Sequence, residues 1–233
     1  MAAPDSHGGR RNPDGARPAG AASPRLRAAM AKRARVRILR KKTVYRGYFR
    51  LDRYTLRHRL YRGGMSATMT REVFERGNTV GILLYDPPRD ALVLVEQFRL
   101  PAFLAGFPAW QTEIVAGIIE DQRERPRAVA VREAHEEAGV VLTAPPFLAQ
   151  KFMTSPGGST ERFHLFCARV DSRGVGGIHG LPHEHEDIRV AVKSFRASMD
   201  LARTCRIQNG PTLLALYWLA ANRARLRRRW PRR

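Results

Sequence analysis

The sequence predicts a single α/β domain, and three observations carry that prediction. Short apolar runs with strand-like alternation recur through the middle of the chain. Two segments have the length and punctuation of helices. Strands and helix patterns interleave instead of forming separate blocks. The chain has 233 residues, 43% hydrophobic and 27% charged, the make-up of an ordinary globular domain with a substantial core.

The elements follow in order. Val36-Arg-Ile-Leu39 and the stretch Gly47 to Tyr54 alternate apolar and polar residues and read as strands. Met65 to Arg76 reads as another. Thr79 to Tyr85 and Ala91 to Phe98 flank Asp86-Pro-Pro-Arg-Asp90, a turn of proline and aspartate, so they form a hairpin buried on both faces. Trp110 to Ala116 reads as a strand ending at Gly117. A helix runs from Pro126, which suits a first turn, to Ala138, with Gly139 at the left-handed terminal position. Phe147 to Thr154, Arg162 to Val170 and Ile188 to Phe195 are further strands. A last helix starts after Asn209 and ends near Asn222.

The net charge of +21 is concentrated at the ends. Residues 1–34 carry seven basic and two acidic residues, and residues 223–233 carry seven arginines and no acid, which leaves +9 on the other 188. Residues 1–34, rich in Ala, Gly, Pro and Arg, lack the apolar surface to offset chain entropy and are expected to be a disordered basic tail. Residues 223–233 are expected to be a second basic tail. The apolar run from Leu213 to Ala221 is too short to span a bilayer, and no apolar core follows the basic N-terminal residues as in a signal peptide. Cys167 and Cys205 lack metal-ligand spacing and read as thiols of a reducing compartment. Together these features predict the cytoplasm.

The segment Arg132-Glu-Ala-His-Glu-Glu-Ala-Gly-Val140 demands an explanation. Glu133, Glu136 and Glu137 are three and four apart and share one helix face. They repel one another near a helix C-terminus, where the macrodipole also disfavours anions. Such a cluster suits Mg²⁺, which prefers oxygen ligands. Ala130, Ala134 and Ala138 form a small neighbouring face that packs closely on a sheet. Three glutamates alone are more often a solvated acidic face.

The upstream residues reverse that balance. Gly117-Ile-Ile-Glu-Asp-Gln-Arg-Glu124 precedes the helix, and with Arg132 to Val140 it resembles the Nudix box. Six residues separate Gly117 from Glu124 where the box has five; the extra one falls around Gln122-Arg123 and leaves the spacing of the helix glutamates intact. The resemblance spans about residues 40–223 and is strongest to the bacterial ADP-ribose diphosphatases of that superfamily. It is carried by Val44-Tyr-Arg-Gly-Tyr-Phe49, Arg71-Glu-Val-Phe-Glu-Arg-Gly77, Val95-Glu-Gln-Phe-Arg99, Glu113-Ile-Val-Ala-Gly117, Ser155-Pro-Gly-Gly-Ser-Thr-Glu161 and Gly176 to Arg189.

The resemblance implies an α/β/α sandwich around a mixed sheet, with residues 35–75 an N-terminal β region exchanged in a homodimer and residues 76–222 the hydrolase domain. It implies Mg²⁺, with Mn²⁺ as a substitute, held by Glu133, Glu137, Glu186 and the carbonyl of Ala116, with Glu136 supporting the site. Glu184 would be the proton acceptor. Arg71 and Arg99 suit phosphate oxygens, although surface arginines are common in so basic a chain. Tyr48 and Phe49 would reach the adenine from the partner subunit, Ser155 and Glu161 would flank a substrate turn, and Ile118 would contribute its backbone. A separate transition-metal site at His183 and His185 is disfavoured, and Gly174, Gly176, Gly177 and Gly180 are expected to make their loop mobile. The implied reaction is ADP-ribose and water giving AMP and ribose 5-phosphate. The rival readings are a Nudix hydrolase of ADP-glucose, NADH or capped RNA, and a nucleic-acid-binding protein with secondary catalysis. The basic tails motivate the latter and also suggest weak nonspecific polyanion binding.

Overall fold

The computed structural model describes residues 35–230 apart from Gln122. The expected disorder of residues 1–34 therefore lies outside the described residues. The chain divides into two compact units, whose described residues are 35–41 and 54–71 in the first and 42–53 and 72–230 in the second. Strands β1 (Val36–Arg46), β2 (Arg50–His58) and β3 (Met69–Glu75) form a three-stranded sheet in that order.

In the first unit, Arg57 Nε donates to the Ser66 carbonyl at 2.8 Å and the His58 amide to Ser66 Oγ at 3.1 Å, which closes the turn between β2 and β3. In the second unit, buried Asp52 accepts from Thr43 Oγ1 at 2.7 Å and from Arg50 Nε at 3.1 Å. The predicted strand from Gly47 instead begins at Arg50. Residues 47–49 bend, and the Gly47 amide donates to the Phe49 carbonyl at 2.9 Å.

The second unit is built on a mixed sheet of eight strands. Its path runs β10 (Gly177–His179), β11 (Ile188–Ser194), β5 (Ala91–Phe98), β4 (Asn78–Asp86), β9 (Arg162–Arg169) and β8 (Phe147–Met153). β4 and β9 run parallel and the other pairs antiparallel. The predicted strand from Trp110 to Ala116 is two strands. β6 (Trp110–Glu113) pairs with β5, and β7 (Val115–Ile119) pairs with β4. The break falls at buried Ile114, whose amide donates to Thr212 Oγ1 at 3.1 Å and so is committed outside either ladder. Gly117 accordingly lies inside a strand and does not end one.

Alternation along β4, β5 and β9 sends side chains to opposite faces. Val80, Ile82, Leu84, Val93, Val95 and Phe166 join one core, which α2 (Pro126–Glu136) covers with Val129, Ala130 and Ala134. Leu83, Tyr85, Leu92, Leu94, Leu165 and Cys167 join the other, covered by α3 (Phe195–Arg203) and α4 (Gly210–Arg229). This is the α/β/α arrangement expected. Two helices went unforeseen. The five-residue α1 (Leu100–Leu104) follows β5, and α3 is capped by Ser194, whose side chain accepts from the Ala197 amide.

The last helix does not end near Asn222. It continues to Arg229, because Leu226 is 1% exposed in the second core and Arg223 forms an ion pair with Asp90. Arginines 223–229, expected in a tail, are thus part of the folded unit. No helix among the described residues is long and apolar enough to cross a membrane. Cys167 is buried and Cys205 exposed, and both are free thiols.

Candidate active site

The three helix glutamates are positioned by the way α2 ends. The Gly139 amide donates to the His135 carbonyl at 2.9 Å and the Val140 amide to the Ala134 carbonyl at 2.9 Å, with Gly139 at φ +63°. This left-handed close turns the chain away while the last turn lies against β7. Gly117 in β7 is required by that approach: a Cβ there would fall 1.9 Å from Glu133 Oε1.

Glu133 and Glu137 are 9% and 3% exposed. Burial pushes Glu133 up to about 7; Arg132 opposes the rise, while Glu136, Glu186 and Glu184 add to it. Burial pushes Glu137 up to about 8, against the Ala116 amide that hydrogen-bonds it and with Glu133 and Glu186 adding repulsion. The helix carboxylates and the two of the late loop thus act on one another and line one cavity. Each still has its own partner. Arg132 reaches Glu133 at 2.9 Å and Glu136 at 2.7 Å, and the Ala116 amide donates to Glu137 Oε2 at 3.0 Å. The Leu181 amide donates to Glu186 Oε2 at 3.1 Å, and His183 Nε2 lies 3.7 Å from Glu184. No three acidic or histidine side chains among the described residues converge into a ready metal cage. Glu124 lies 3.9 Å from Arg132, so the longer loop still brings it to the arginine that holds the helix glutamates.

The cavity measures about 1070 Å³, enough for a nucleotide-sized ligand. Ala116, Ile118, Arg99, Glu161, Tyr48 and Phe49, all candidate site residues of the sequence, line it. Tyr48 and Phe49 were expected to serve a partner subunit; here they line the cavity of their own chain. The Phe49 ring meets Phe74 at 4.9 Å, and the Arg76 guanidinium lies 5.9 Å from it. Arg99 is fixed by Glu113, with Nη2 to Oε2 at 2.8 Å. Glu161 already accepts from Thr79 Oγ1 at 2.6 Å and Thr154 Oγ1 at 2.7 Å.

Two expected residues fall elsewhere. Ser155 does not line the cavity; its carbonyl closes the Pro-Gly-Gly turn by accepting from the Gly158 and Ser159 amides, and Thr154 takes the lining place. Arg71 belongs to the first unit, where its Nη1 donates to the Thr70 carbonyl at 2.9 Å.

The sequence reading missed Arg76, Glu113 and Asn209. Arg76 lines the cavity with its Nη1 3.7 Å from Glu161, while its buried Nε has no hydrogen-bond partner. Asn209 Nδ2 donates to Glu113 Oε1 at 3.1 Å, which ties the cap of α4 to the support of Arg99. Arg76 and Glu113 both stand in stretches that carried the resemblance, but nothing in one sequence separates a cavity arginine from its neighbours.

Comparison with known proteins agrees with this geometry. The family model described as the NUDIX domain matches residues 75–205. ADP-ribose pyrophosphatase of Escherichia coli K12 is 42% identical over 196 residues, covering 84% of this chain and 92% of the relative. That of Haemophilus influenzae is 39% identical over 202 residues, covering 84% and 91%. GDP-mannose pyrophosphatase of Yersinia enterocolitica is 32% identical over 183 residues, covering 77% and 92%. A solved structure described as an ADP compounds hydrolase, 18% identical, superposes with a TM-score of 0.61 over 82% of this chain and 96% of that one, which shows a shared fold. The match of the NUDIX domain over more than half of the chain, and relatives above 30% identity over most of it, show that this chain belongs to the Nudix family.

Proposed function

We propose that the protein hydrolyses ADP-ribose to AMP and ribose 5-phosphate with the help of Mg²⁺, for which Mn²⁺ can substitute. The observation that carries this reading is the placement of five carboxylates, from α2 and from the late loop, along one cavity that also holds Arg76, Arg99 and the rings of Tyr48, Phe49 and Phe74. The donor set fits a divalent cation: Glu133 and Glu137 are hard oxygen donors whose burial and mutual repulsion raise their pKa, the state a cation relieves. Glu133, Glu137, Glu186 and the Ala116 carbonyl would hold it, with Glu136 in support. When bound, such a cation offsets diphosphate charge and makes water more acidic.

The chain's own residues do the rest. Glu184, on an exposed turn, takes the proton as water adds to phosphorus and the P–O bond bridging the two phosphates breaks. Arg99, held in place by Glu113, and Arg76 face the diphosphate and its flanking sugar. Tyr48, Phe49 and Phe74 offer ring surface to the base. Glu161 and Ile118 complete the wall. Relatives at 42% and 39% identity that bear the name ADP-ribose pyrophosphatase support the choice of substrate. The test is a panel of ADP-ribose, ADP-glucose, GDP-mannose, NADH and ATP at fixed magnesium. ADP-ribose should give the highest kcat/KM, and a triphosphate as best substrate would overturn the reading.

The working unit is a cytoplasmic homodimer in which the strands of residues 35–75 exchange, so that Tyr48, Phe49 and Phe74 supply the partner's cavity with the wall that they form in their own chain here; sedimentation velocity at micromolar concentration checks the dimer. The basic segments attract polyanions weakly. Residues 35–75 hold twelve Lys and Arg against three acids, whereas residues 76–222 hold sixteen of each. Any binding to DNA or RNA should therefore fade steeply between 50 and 200 mM salt.

A further inference from the structure

The loop that carries Glu184 and Glu186 is brought to a helix that repels it. Of the eight glutamates that line the cavity, five belong to α2 and this loop, and their mutual repulsion pushes the loop outward. The contacts that hold it begin before the acidic residues. The Gly180 amide donates to the Glu136 carbonyl at 3.2 Å, a direct bond from loop to helix end. One residue earlier, the His179 ring rests on Gly139: a Cβ added to Gly139 would fall 2.5 Å from His179 Cε1 and 3.1 Å from Nδ1. Gly139 is thus needed for two reasons, its left-handed φ and the ring that occupies the space of a side chain.

The ring is fixed on its other side. His179 Nε2 donates to the Gly176 carbonyl at 2.9 Å, and His179 stands opposite Ile188 in the β10–β11 ladder. Beyond it, Leu181 is the pivot of the acidic turn. Its amide donates to Glu186 Oε2, and its carbonyl accepts from the Glu184 amide at 2.9 Å and the Glu186 amide at 3.3 Å. Gly180 leaves no slack between the two, since a Cβ there would meet Glu186 Cβ at 2.7 Å. Only Gly180 separates the imidazole from the residue whose backbone fixes both loop glutamates.

We propose that His179 is a positioning residue: its ring, seated on Gly139 at the end of α2, latches the carboxylate loop to the helix and sets the spacing between Glu184 and Glu186 and the helix glutamates. The latch works through close contact and one hydrogen bond, neither of which weakens as carboxylates ionise. Its effect on turnover rests on the proposed hydrolysis; its effect on the loop does not.

The experiment compares wild type, His179→Ala and His179→Phe in the full-length protein. Without metal, hydrogen exchange in peptides covering residues 176–187 should speed up in His179→Ala while peptides of α4 stay unchanged. With ADP-ribose, His179→Ala should raise the magnesium needed for half activity by about 10-fold, as loss of a group that orients ligands does, and change KM far less. His179→Phe, which keeps a flat ring on Gly139, should recover most of that loss. If His179→Ala does not fold, His179→Asn keeps a donor for the Gly176 carbonyl, removes the ring contact and takes its place. Unchanged loop exchange, or faster exchange throughout the chain including α4, overturns the latch. If wild type does not hydrolyse ADP-ribose but loop exchange responds to the substitution, the functional reading falls and the latch stands.

Discussion

The two faces of the large sheet are closed in opposite ways. On one, α2 lays Val129, Ala130 and Ala134 on the strands, small enough to bring its last turn against β7, and thereby buries Glu133 and Glu137. On the other, α3 and α4 lay down Met199, Leu216, Leu219 and Leu226, and two arginines at the far end of α4, Arg223 and Arg227, find Asp90. The first face accepts groups that oppose folding; the second gathers apolar volume and neutralised charge. This chain gives up stability for chemistry on the first face and makes up the deficit on the second. Substitutions on the two faces should therefore separate activity from stability.

The largest expected effect lies on the acidic face. Glu184→Gln keeps size and hydrogen bonding but cannot take a proton from water, so kcat should fall about 10²–10⁴-fold at every magnesium concentration. Glu186→Gln should instead raise the magnesium needed for half activity and regain part of its rate when metal is added. Neither should shift Tm much, since Glu184 is exposed and Glu186 partly so. A magnesium titration of kcat for both variants decides. Rescue of Glu184→Gln alone would reverse the roles, and two fully active variants would move the base to α2.

Next comes the apolar face, where the effect should be on stability. Leu226→Ala removes a side chain that is 1% exposed and should cost about 2–5 kcal/mol by denaturant unfolding, with kcat per folded molecule unchanged. Ending the chain at Asn222 removes the Asp90 contacts as well and should cost more. Equal loss of kcat and stability in Leu226→Ala would erase the distinction between the faces.

A third expectation couples acidity to folding. Glu133 and Glu137 are raised from 4.5 to about 7 and about 8, so the folded chain keeps protons that the unfolded chain releases. Stability from these groups is full below the unfolded value and is lost as pH rises through 7 and 8. Thermal unfolding in EDTA should show Tm falling over that window. Magnesium should restore more Tm at about pH 8 than at about pH 5.5, because it favours the ionised, folded form. A metal-free Tm that rises from pH 6 to 8 would contradict the burial of these carboxylates.

Much of this was legible in the sequence. The spacing of Glu133, Glu136 and Glu137 and the alanines beside them gave both the sheet-facing and the cavity-facing sides of α2, because helical periodicity maps directly onto faces. The proline turn after Asp86 gave the central hairpin. The split at Ile114 was not legible, since it depends on the Thr212 hydroxyl 98 residues away. Nor was the true end of α4: a run of arginines looks like a tail unless one knows that Leu226 meets a core and that Asp90 waits for Arg223. The place of Thr154 in the cavity wall, beside Ser155, was not legible for a similar reason, because a Pro-Gly-Gly turn marks where the chain bends and not which neighbour lines the cavity.

The smallest expected effect tests that last helix end. Arg223 Nε donates to Asp90 Oδ1 at 2.7 Å, its Nη2 pairs with Oδ2, and its guanidinium lies 4.5 Å from the Phe195 ring. Tyr85 donates to the same carboxylate at 2.7 Å. Burial pushes Asp90 up, but hydrogen bonds from Arg223 and Tyr85 outweigh it and hold the carboxyl below its ordinary value. The pair is about one-third exposed on the arginine side, so solvent screens most of its Coulomb energy. Arg223→Ala should therefore cost only about 1 kcal/mol, the sum of a screened ion pair and a cation–π contact. Because the folded pKa of Asp90 is lowered, its contribution is present above the ordinary aspartate value and is lost as pH falls. Chemical denaturation of wild type and Arg223→Ala should give a gap that is largest at neutral pH and shrinks as pH falls below the ordinary aspartate value, with kcat untouched throughout. A gap that stays constant down to pH 3 would mean that Arg223 acts through packing on Phe195 and not through Asp90. A loss of kcat without loss of stability would place this clasp, against the contrast between the two faces, in the service of the cavity.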